Sequence, residues 1–487
     1  MKRKFPVSSA WIIPIVLLYV VYIVSIAPRV SAQGREQAPP NRHVSVIGTV
    51  YEFIQRNFVE EIDTNILFEG AMTGMLNSLG DPHSAFLPES EMSNLSNTTQ
   101  GNFGGVGLYV FKPAPVDGRP SFLEVSSPIE GTPGWRAGIS PGDQIIQING
   151  ENTDVLSSDE AVSRLRGIPG TDVEILIRRG ERLEFPVVLT RAIVEVPTVR
   201  FSMIGNDIGY VRLITFTPMT VDRTRDAIND FQAHGYRGLI VDLRNNAGGL
   251  LSSAVSVSSL FLDGGVVVST RSRIPTENQV FQARGRPIVQ ADIPIIVLIN
   301  RGSASASEIV AGALKDRGRA FLVGERTHGK GSVQQVYPLD SVGFKLTTAR
   351  YYTPSNASID GVGVPPDREV HFPDFTDTDA EQLGELINSR RIIDFVAENP
   401  DATASQRENF ARILSRDYGL DVVLLSRLIR NEQNRTAIEP VYDLEYDVQL
   451  QEAVKILREE NFRALMQNST TLRELQEREE ETFLIAS

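Results

Sequence analysis

The chain is 487 residues long, carries 48 Lys and Arg against 61 Asp and Glu for a formal net charge of −13, and contains no cysteine. Without thiols it has no cysteine nucleophile, disulfide or thiolate metal site, and its acidic balance argues against nucleic acid, whose recognition calls for a basic face. Its length accommodates about three domains.

Met1-Lys2-Arg3-Lys4 opens the chain and an apolar run from Ala10 to Ala27 follows. That run suffices for a membrane span or for the apolar region of a secretory signal, and Val30-Ser31-Ala32 before Gln33 has the small residues of a cleavage site. Residues 1–32 are therefore expected to be a signal peptide or an N-terminal membrane anchor. With the basic flank inside, both outcomes put the remainder outside the cytoplasm, in the cell envelope or periplasm, held at the inner membrane if uncleaved. Residues 33–42, with Pro39 and Pro40, read as a linker. Residues 43–100 read as a helical region, from the spacing of Val50, Tyr51, Phe53 and Ile54 and of Ala71, Met72, Met75 and Leu76.

Residues 101–192 have a different texture. Strand-like Phe122-Leu123-Glu124-Val125 precedes Trp135-Arg136-Ala137-Gly138-Ile139-Ser140-Pro141-Gly142-Asp143 and then Ile145-Ile146-Gln147-Ile148-Asn149-Gly150. Ser157 and Glu160 can cap a helix running to Leu165, and Val173 to Ile177 is a late strand. This series resembles PDZ domains, which bind peptide C-termini by adding a strand to a sheet edge. The resemblance makes Gly105-Val106-Gly107-Leu108 the carboxylate-binding loop, its glycines supplying an anion-accepting nest, and implies protein ligands with an apolar last residue. A plain glycine turn before a strand is the alternative.

From Ile208 strands alternate with helices to about Val370, giving residues 193–372 the pattern of a mixed α/β core. The apolar strand Gly238–Val241 runs into Asp242-Leu243-Arg244-Asn245-Asn246-Ala247-Gly248-Gly249. A second, Ile295–Ile299, runs into Asn300-Arg301-Gly302-Ser303-Ala304-Ser305-Ala306-Ser307-Glu308, and a helix-forming stretch from Glu308 to Leu314 leaves that turn. A serine at a strand-to-helix turn can expose its hydroxyl while the unpartnered N–H groups of the first helical turn face whatever it attacks. Ser305 with Glu308 also fits a simple capping box. Lys330 lies in Thr327-His328-Gly329-Lys330-Gly331-Ser332-Val333-Gln334.

Taken together, these segments resemble the carboxy-terminal processing, or tail-specific, proteases, serine endopeptidases with a Ser/Lys pair and a PDZ domain. The matching segments, in the family's order over roughly residues 45–370, are Asp81-Pro82-His83-Ser84 with Phe86-Leu87, Gly104 to Leu108, Asp242 to Gly249, Ser303 to Ala313, Gly329 to Gln334, and Tyr352-Thr353-Pro354 with Gly361-Val362-Gly363 and Pro366-Asp367. The resemblance implies Ser305 as nucleophile, Lys330 as general base 25 residues on, Gln334 as the residue orienting that lysine, and the N–H groups of Ala306 and Gly248 as the oxyanion hole. Gly249 remains an alternative to Gly248. His328 departs from the family, whose members usually carry an aromatic residue there, and Arg166 resembles an arginine that in some relatives links PDZ position to the active site.

The chemistry is self-consistent. A serine needs a base beside it, and lysine serves only when uncharged. Its reference pKa of about 10.4 must fall to roughly 7–8, within the range that burial can produce. Of His43, His83, His234, His328 and His371 none sits in an H-E-x-x-H motif, and no phosphate loop, haem motif or metal cluster is present, so neither metal nor cofactor is expected. A Ser-His-Asp arrangement through His328 is the competing scheme.

Residues 373–487 are charged and helix-rich, as in Ala380–Asn399, Ala404–Leu414 and Leu444–Leu475. Asp447-Val448-Gln449-Leu450 with Ala453 and Leu457 resembles the segment that ends shorter family members, which makes residues of about 373–440 an insertion or added helical module. Relatives dimerise through terminal helices, so a homodimer is expected, with a monomeric helical lid or tail as the alternative. The expected fold is a multidomain α/β chain: a mixed α/β serine protease core with an inserted, mostly-β PDZ domain and helical N- and C-terminal regions. The expected function is C-terminus-directed peptide-bond hydrolysis. A catalytically silent or adaptor-activated PDZ scaffold is the alternative.

Overall fold

The computed structural model describes residues 40–89, 91–92, 102–113, 120–129, 131–180, 183–195, 197–371, 376–434 and 440–486. The signal or anchor expected at residues 1–32 lies outside them. Among the described residues no helix is long and apolar enough to cross a membrane.

The chain divides into two units, residues 1–78 and 79–487. The first contains two helices, α1 (Pro40–Asn57) and α2 (Thr64–Asn77). Pro40 to Arg42, expected to be linker, instead make the first turn of α1, where a proline's fixed φ and missing N–H cost nothing. Asp63 caps α2 by accepting from the Asn65 N–H at 2.9 Å. Val44, Ile47, Phe53, Phe58 and Ile66 are all exposed on this unit.

The second unit begins with β1 (Ala85–Leu87) and β2 (Asn102–Gly105). A mostly-β domain follows: β3 (Leu108–Phe111), β4 (Leu123–Pro128), the short α3 (Pro133–Arg136), β5 (Gln144–Ile148), β6 (Glu151–Asn152), α4 (Ser158–Leu165), β7 (Asp172–Arg179) and β8 (Leu183–Thr190). The strands run in the order β3-β4-β5-β7-β8 with β6 beside β5, all antiparallel. Leu123, Val125, Ile145, Ile148, Ile175 and Ile177 from the sheet pack against Ala161 and Leu165 of α4. Ser157 and Glu160 form the expected capping box of that helix. β9 (Ala192–Glu195) pairs antiparallel with β2, so the chain enters and leaves this domain through one two-stranded stalk.

The core sheet comprises β10 (Val199–Ile204), β11 (Ile208–Leu213), β12 (Gly238–Asp242), β15 (Ile295–Ile299), β16 (Phe321–Gly324) and β19 (Arg368–Glu369), adjacent in that order and parallel except for the edge strand β10. Between them the chain forms α5 (Thr220–Ala233), α6 (Leu251–Ser258), β13 (Val266–Ser272), β14 (Gln279–Gln282), α7 (Ala306–Asp316), β17 (Ser332–Leu339) and β18 (Val342–Tyr352). All five residues of β15 are buried because helices cover both faces. Alternation sends Ile295, Val297 and Ile299 toward α7, and Ile296 and Leu298 toward the C-terminal helices. A second, antiparallel sheet, β1-β18-β13-β14 with β17 on β18, stands beside this core.

C-terminal to the core come α8 (Asp377–Asn388), α9 (Arg391–Glu398), α10 (Ala404–Tyr418) and α11 (Val422–Gln433), which share their own core of Leu386, Ala411, Leu414, Leu425 and Ile429. The helix-rich stretch Leu444–Leu475 falls in α12 (Val448–Glu459), α13 (Phe462–Asn468) and the start of α14 (Leu472–Ala486), separated at Glu460 and Ser469, both in extended conformation. Leu450, Ala453 and Ile456 of α12 close the free face of the core sheet.

Candidate active site

The three serines of the turn after β15 look alike in sequence and differ completely in the fold. Ser303 is buried and donates to Leu243 O at 2.8 Å; Ser307 is buried and donates to Asn246 O at 2.7 Å. Both hydroxyls are thereby spent on tying the turn to the loop after β12. Ser305 is half-buried at the start of α7, with φ of +54°, a left-handed conformation that costs about 1–3 kcal/mol in a residue with a side chain. Its N–H donates to Glu308 Oε2 at 2.8 Å, but its hydroxyl makes no cap bond. Burial pushes the phenol of Tyr351, the tenth residue of β18, up to about 12.

Gly248 lies directly against this turn. A Cβ there would stand 2.9 Å from Ser305 Cβ and 3.0 Å from Ala306 N, whereas one on Gly249 would meet Phe216 O. The backbone beside Ser305 is therefore that of Gly248, although its N–H now donates to Asn246 Oδ1 at 2.9 Å. Asn246 is held in turn by donating to Leu213 O at 2.8 Å.

Glu308 was legible only as a helix cap, yet it organises the site. Its buried carboxylate accepts from the N–H groups of Ser305 (2.8 Å), Lys330 (2.9 Å) and Gly329 (2.7 Å) and from the Thr327 hydroxyl (2.6 Å). Burial pushes the Glu308 carboxyl above its ordinary pKa and these donors pull it back. A charge alone in an otherwise apolar stretch, Ser307-Glu308-Ile309-Val310-Ala311, was the available signal.

Lys330 is half-buried, and burial, followed by the like charge of Lys345, holds its ammonium below the usual lysine range against an opposing pull from Glu308. No hydrogen bond joins Gln334 to it. The β17–β18 register shifts at Val333/Gln334, and the Gln334 amide donates to Ser332 Oγ at 2.8 Å and Thr347 Oγ1 at 3.4 Å. His328 is exposed; its backbone N–H donates to Ser303 O at 3.0 Å and no hydrogen bond joins its ring to Ser305. His83 belongs to a turn in which Ser84 bridges Asp81 Oδ2 (2.5 Å) and the Thr347 N–H (3.0 Å), fastening β1 to β18.

The loop after β12 has its own anchor. Arg244, buried, reaches Asp242 Oδ2 (2.6 Å), Asp447 Oδ2 (2.7 Å) and Gln449 Oε1 (3.1 Å), while Tyr210 donates to Asp242 Oδ2 at 2.7 Å. Burial pushes Asp242 up, but the Arg244 guanidinium wins and holds it low. Among the described residues no group of three or more His, Asp or Glu is arranged to hold a metal.

Comparison with known proteins places this arrangement. Residues 207–370 match peptidase family S41, residues 124–179 a PDZ domain, and residues 24–90 the N-terminal domain of the activating protease CtpB. A carboxy-terminal-processing protease of Bartonella bacilliformis is 40% identical over 338 residues, which is 68% of this chain and 76% of that protein. The chain belongs to peptidase family S41. Carboxy-terminal processing protease CtpA of Bacillus subtilis is 33% identical over 330 residues, 68% of this chain and 69% of that protein. A solved photosystem II D1 C-terminal processing protease aligns at 30% identity over 69% of this chain and 95% of its own, with a TM-score of 0.40.

In this S41 peptidase the PDZ loop is a braced turn. Gly107 has φ of +74° and so little room that a Cβ would lie 2.2 Å from Thr132 Oγ1. Thr132 donates to Gly107 O at 3.1 Å and the Gly134 N–H to Val106 O at 2.8 Å, with Val106 buried and Gly105 and Leu108 at the ends of the flanking strands β2 and β3. Arg166, at the end of α4, stacks its guanidinium 4.8 Å from the Phe103 ring centroid. Phe103 is in β2, so Arg166 stands on the stalk that joins the PDZ domain to the core.

Proposed function

We propose that this S41 peptidase is a serine endopeptidase of the cell envelope that recognises protein C-termini through its PDZ domain and hydrolyses peptide bonds with Ser305 and Lys330. One observation carries the reading. The Glu308 carboxylate binds the backbone of the Ser305 turn and of the Gly329–Lys330 loop at the same time, so two segments that share no local structure are held on one anchor. In the acylation step neutral Lys330 takes the Ser305 proton as Oγ attacks the scissile carbonyl, and the resulting ammonium returns that proton to the leaving amine. The Ala306 and Gly248 N–H groups face the oxyanion, each contributing on the order of 3–4 kcal/mol.

A partner-activated form of this reading has support of its own. The Gln334 amide is turned onto Ser332 and the Gly248 N–H onto Asn246. Both must be released before the full set can act, which suits an enzyme switched on by a peptide tail at the PDZ domain or by an adaptor. The PDZ stalk, with Arg166 on Phe103, is the route by which such an arrival reaches the core. The exposed apolar side chains of α1 and α2 suit a homodimer through terminal helices, and residues 1–32 suit export with or without retention at the inner membrane.

The test uses protein beginning near Gln33 and a loosely folded substrate ending in an apolar residue, followed by mass spectrometry. Cleavage that disappears in Ser305→Ala and in Lys330→Ala, and falls when the tail is charged, is the expected result. Binding of the apolar tail with no cleavage under any condition, an added partner included, would leave a scaffold instead.

A further inference from the structure

The C-terminal helix α14 lies beyond residues 207–370, over which the chain matches the peptidase family, and the Ser/Lys scheme leaves it without a task. Its contacts run toward the base. The segment 353–364, between β18 and β19, is packed on the Lys330 loop: the Gly361 N–H donates to Gly329 O at 2.8 Å, the Thr327 N–H to Val364 O at 3.1 Å, and the Val364 N–H to Thr327 Oγ1 at 2.7 Å. The fit is close on either side of Lys330. A Cβ on Gly329 would stand 3.1 Å from Gly363 N, and one on Gly331 would collide with the backbone of Asp360.

α14 holds this same segment. Gln476, half-buried, donates its amide to Ser358 O at 2.6 Å, and the Arg473 N–H donates to Ser355 Oγ at 3.2 Å. Asp316, the last residue of α7, accepts from the Ser355 N–H at 3.0 Å and from the Leu472 N–H at 2.7 Å, joining both to the helix that begins beside Ser305. A carboxylate at a helix C-terminus is opposed by the helix dipole, so the two donors, not α7, account for an aspartate there. Leu472, fully buried, belongs to the same core cluster as Ile309 and Leu314 of α7. Arg326 adds a further tie, donating to Val362 O at 3.3 Å and to Glu479 Oε1 at 2.7 Å.

Resting on the reading of Lys330 as general base, we infer that α14 is a clamp on the base loop and that Gln476 is a positioning residue, acting on Lys330 through Ser358 and the 353–364 segment. What Gln476 fixes is the carbonyl of Ser358, two residues from Asp360, whose backbone abuts Gly331. Without that bond the segment is free to draw back, and the Lys330 loop loses its backing. Glu308 still holds the Gly329 and Lys330 N–H groups, so the loop stays in place but is less confined. A less confined Lys330 is less buried, and burial is the main cause that holds its ammonium below the usual range. The charges around it, Lys345 of β18, Glu308 of α7 and the Asp360–Arg350 pair beside Gly331, are unaltered by a change at Gln476.

The test uses the full chain and an alkyl fluorophosphonate, small enough to need no PDZ engagement, with the labelled peptide located by mass spectrometry and the rate measured against pH. Wild type is compared with Gln476→Ala, Asp316→Asn, Glu477→Ala and Lys330→Ala. Gln476→Ala should label Ser305 roughly 10-fold more slowly near neutral pH, as expected of a displaced reacting group, with the acidic limb of the profile moved to higher pH. Asp316→Asn keeps an acceptor for only one of its two N–H donors and should behave in the same way. Glu477→Ala breaks only an exposed pair with Arg473 and should label like wild type. A wild-type rate and limb in both Gln476→Ala and Asp316→Asn would overturn the inference, and so would slower labelling with an unmoved limb, which is what a general packing defect produces. Absence of label on Ser305 in the wild-type protein, or undiminished labelling in Lys330→Ala, would overturn the reading on which the inference rests.

Discussion

Replacing Glu308 by glutamine tests whether one carboxylate sets the geometry of the site. The carboxylate meets four donors, Thr327 Oγ1 and Gly329 N on Oε1, Ser305 N and Lys330 N on Oε2. A glutamine has one oxygen to offer, so its NH2 must face one of these pairs. The Thr327 pair is the cheaper choice, because that hydroxyl can turn to accept, although it already accepts from the Val364 N–H at 2.7 Å. The Gly329 N–H is then left facing another donor. Losing that bond costs about 1.5–3 kcal/mol, and each surviving bond weakens from the charged to the neutral kind, by up to about 1 kcal/mol. Part of this is returned because a buried carboxylate, whose pKa burial already raises, no longer has to be desolvated. The net expectation is a loss of about 2–4 kcal/mol. Because the orphaned group adjoins Lys330, labelling of Ser305 should fall on the order of 100-fold, the effect expected of a displaced reacting group. Glu308→Ala strands all four donors and should cost at least about 4 kcal/mol. Urea denaturation supplies the stability and fluorophosphonate labelling the rate. A Glu308→Gln protein with an unchanged midpoint and wild-type labelling would refute the reasoning.

Lys345→Gln removes a positive charge that helps to hold Lys330 below its usual pKa, so the Lys330 pKa should rise. The acidic limb of the labelling-rate profile should therefore move to higher pH, whereas a limb that stays or moves down would contradict the assignment. The same depression has a stability sign: Lys330 burial costs most below its folded pKa, and that cost falls as pH climbs from the folded pKa toward the unfolded value of about 10.4, above which it is gone. Arg244→Met leaves the buried Asp242 and the partly buried Asp447 without their counter-charge and should destabilise by about 3–5 kcal/mol in calorimetry or urea. A loss under about 1 kcal/mol would mean that water already screens the pair.

Much of this site was legible because its signals are local. The run Ile295–Ile299 into small residues places Ser305 at a strand-to-helix turn without any knowledge of the rest of the chain, and the glycines after β12 announce a close backbone approach. What was not legible is carried by partners far apart in sequence. Nothing local separates Ser305 from Ser303 and Ser307; the separation is made by carbonyls of Leu243 and Asn246 some 60 residues earlier, which bind two of the hydroxyls and leave the third. Glu308 shows the same limit in a sharper form. Its capping-box spacing from Ser305 is a sufficient local explanation, and a sufficient local explanation hides a long-range one: three of its four donors come from Thr327, Gly329 and Lys330. Gln334, which the resemblance makes the residue orienting Lys330, here donates its amide to Ser332 Oγ and Thr347 Oγ1 beside a register shift at Val333/Gln334, and neither partner has a local sequence signal. The Arg244–Asp447 pair, 203 residues apart, has no sequence signal at all, yet it ties the Gly248 loop to α12. The Ser305 turn, the Lys330 loop and the Gly248 loop are each locally well formed, and what joins them is a set of bonds between residues far apart in sequence: Ser303 to Leu243 O, Ser307 to Asn246 O, the His328 N–H to Ser303 O, and Glu308 to the Gly329 and Lys330 N–H groups, so a change that separates these loops has to break several bonds at once.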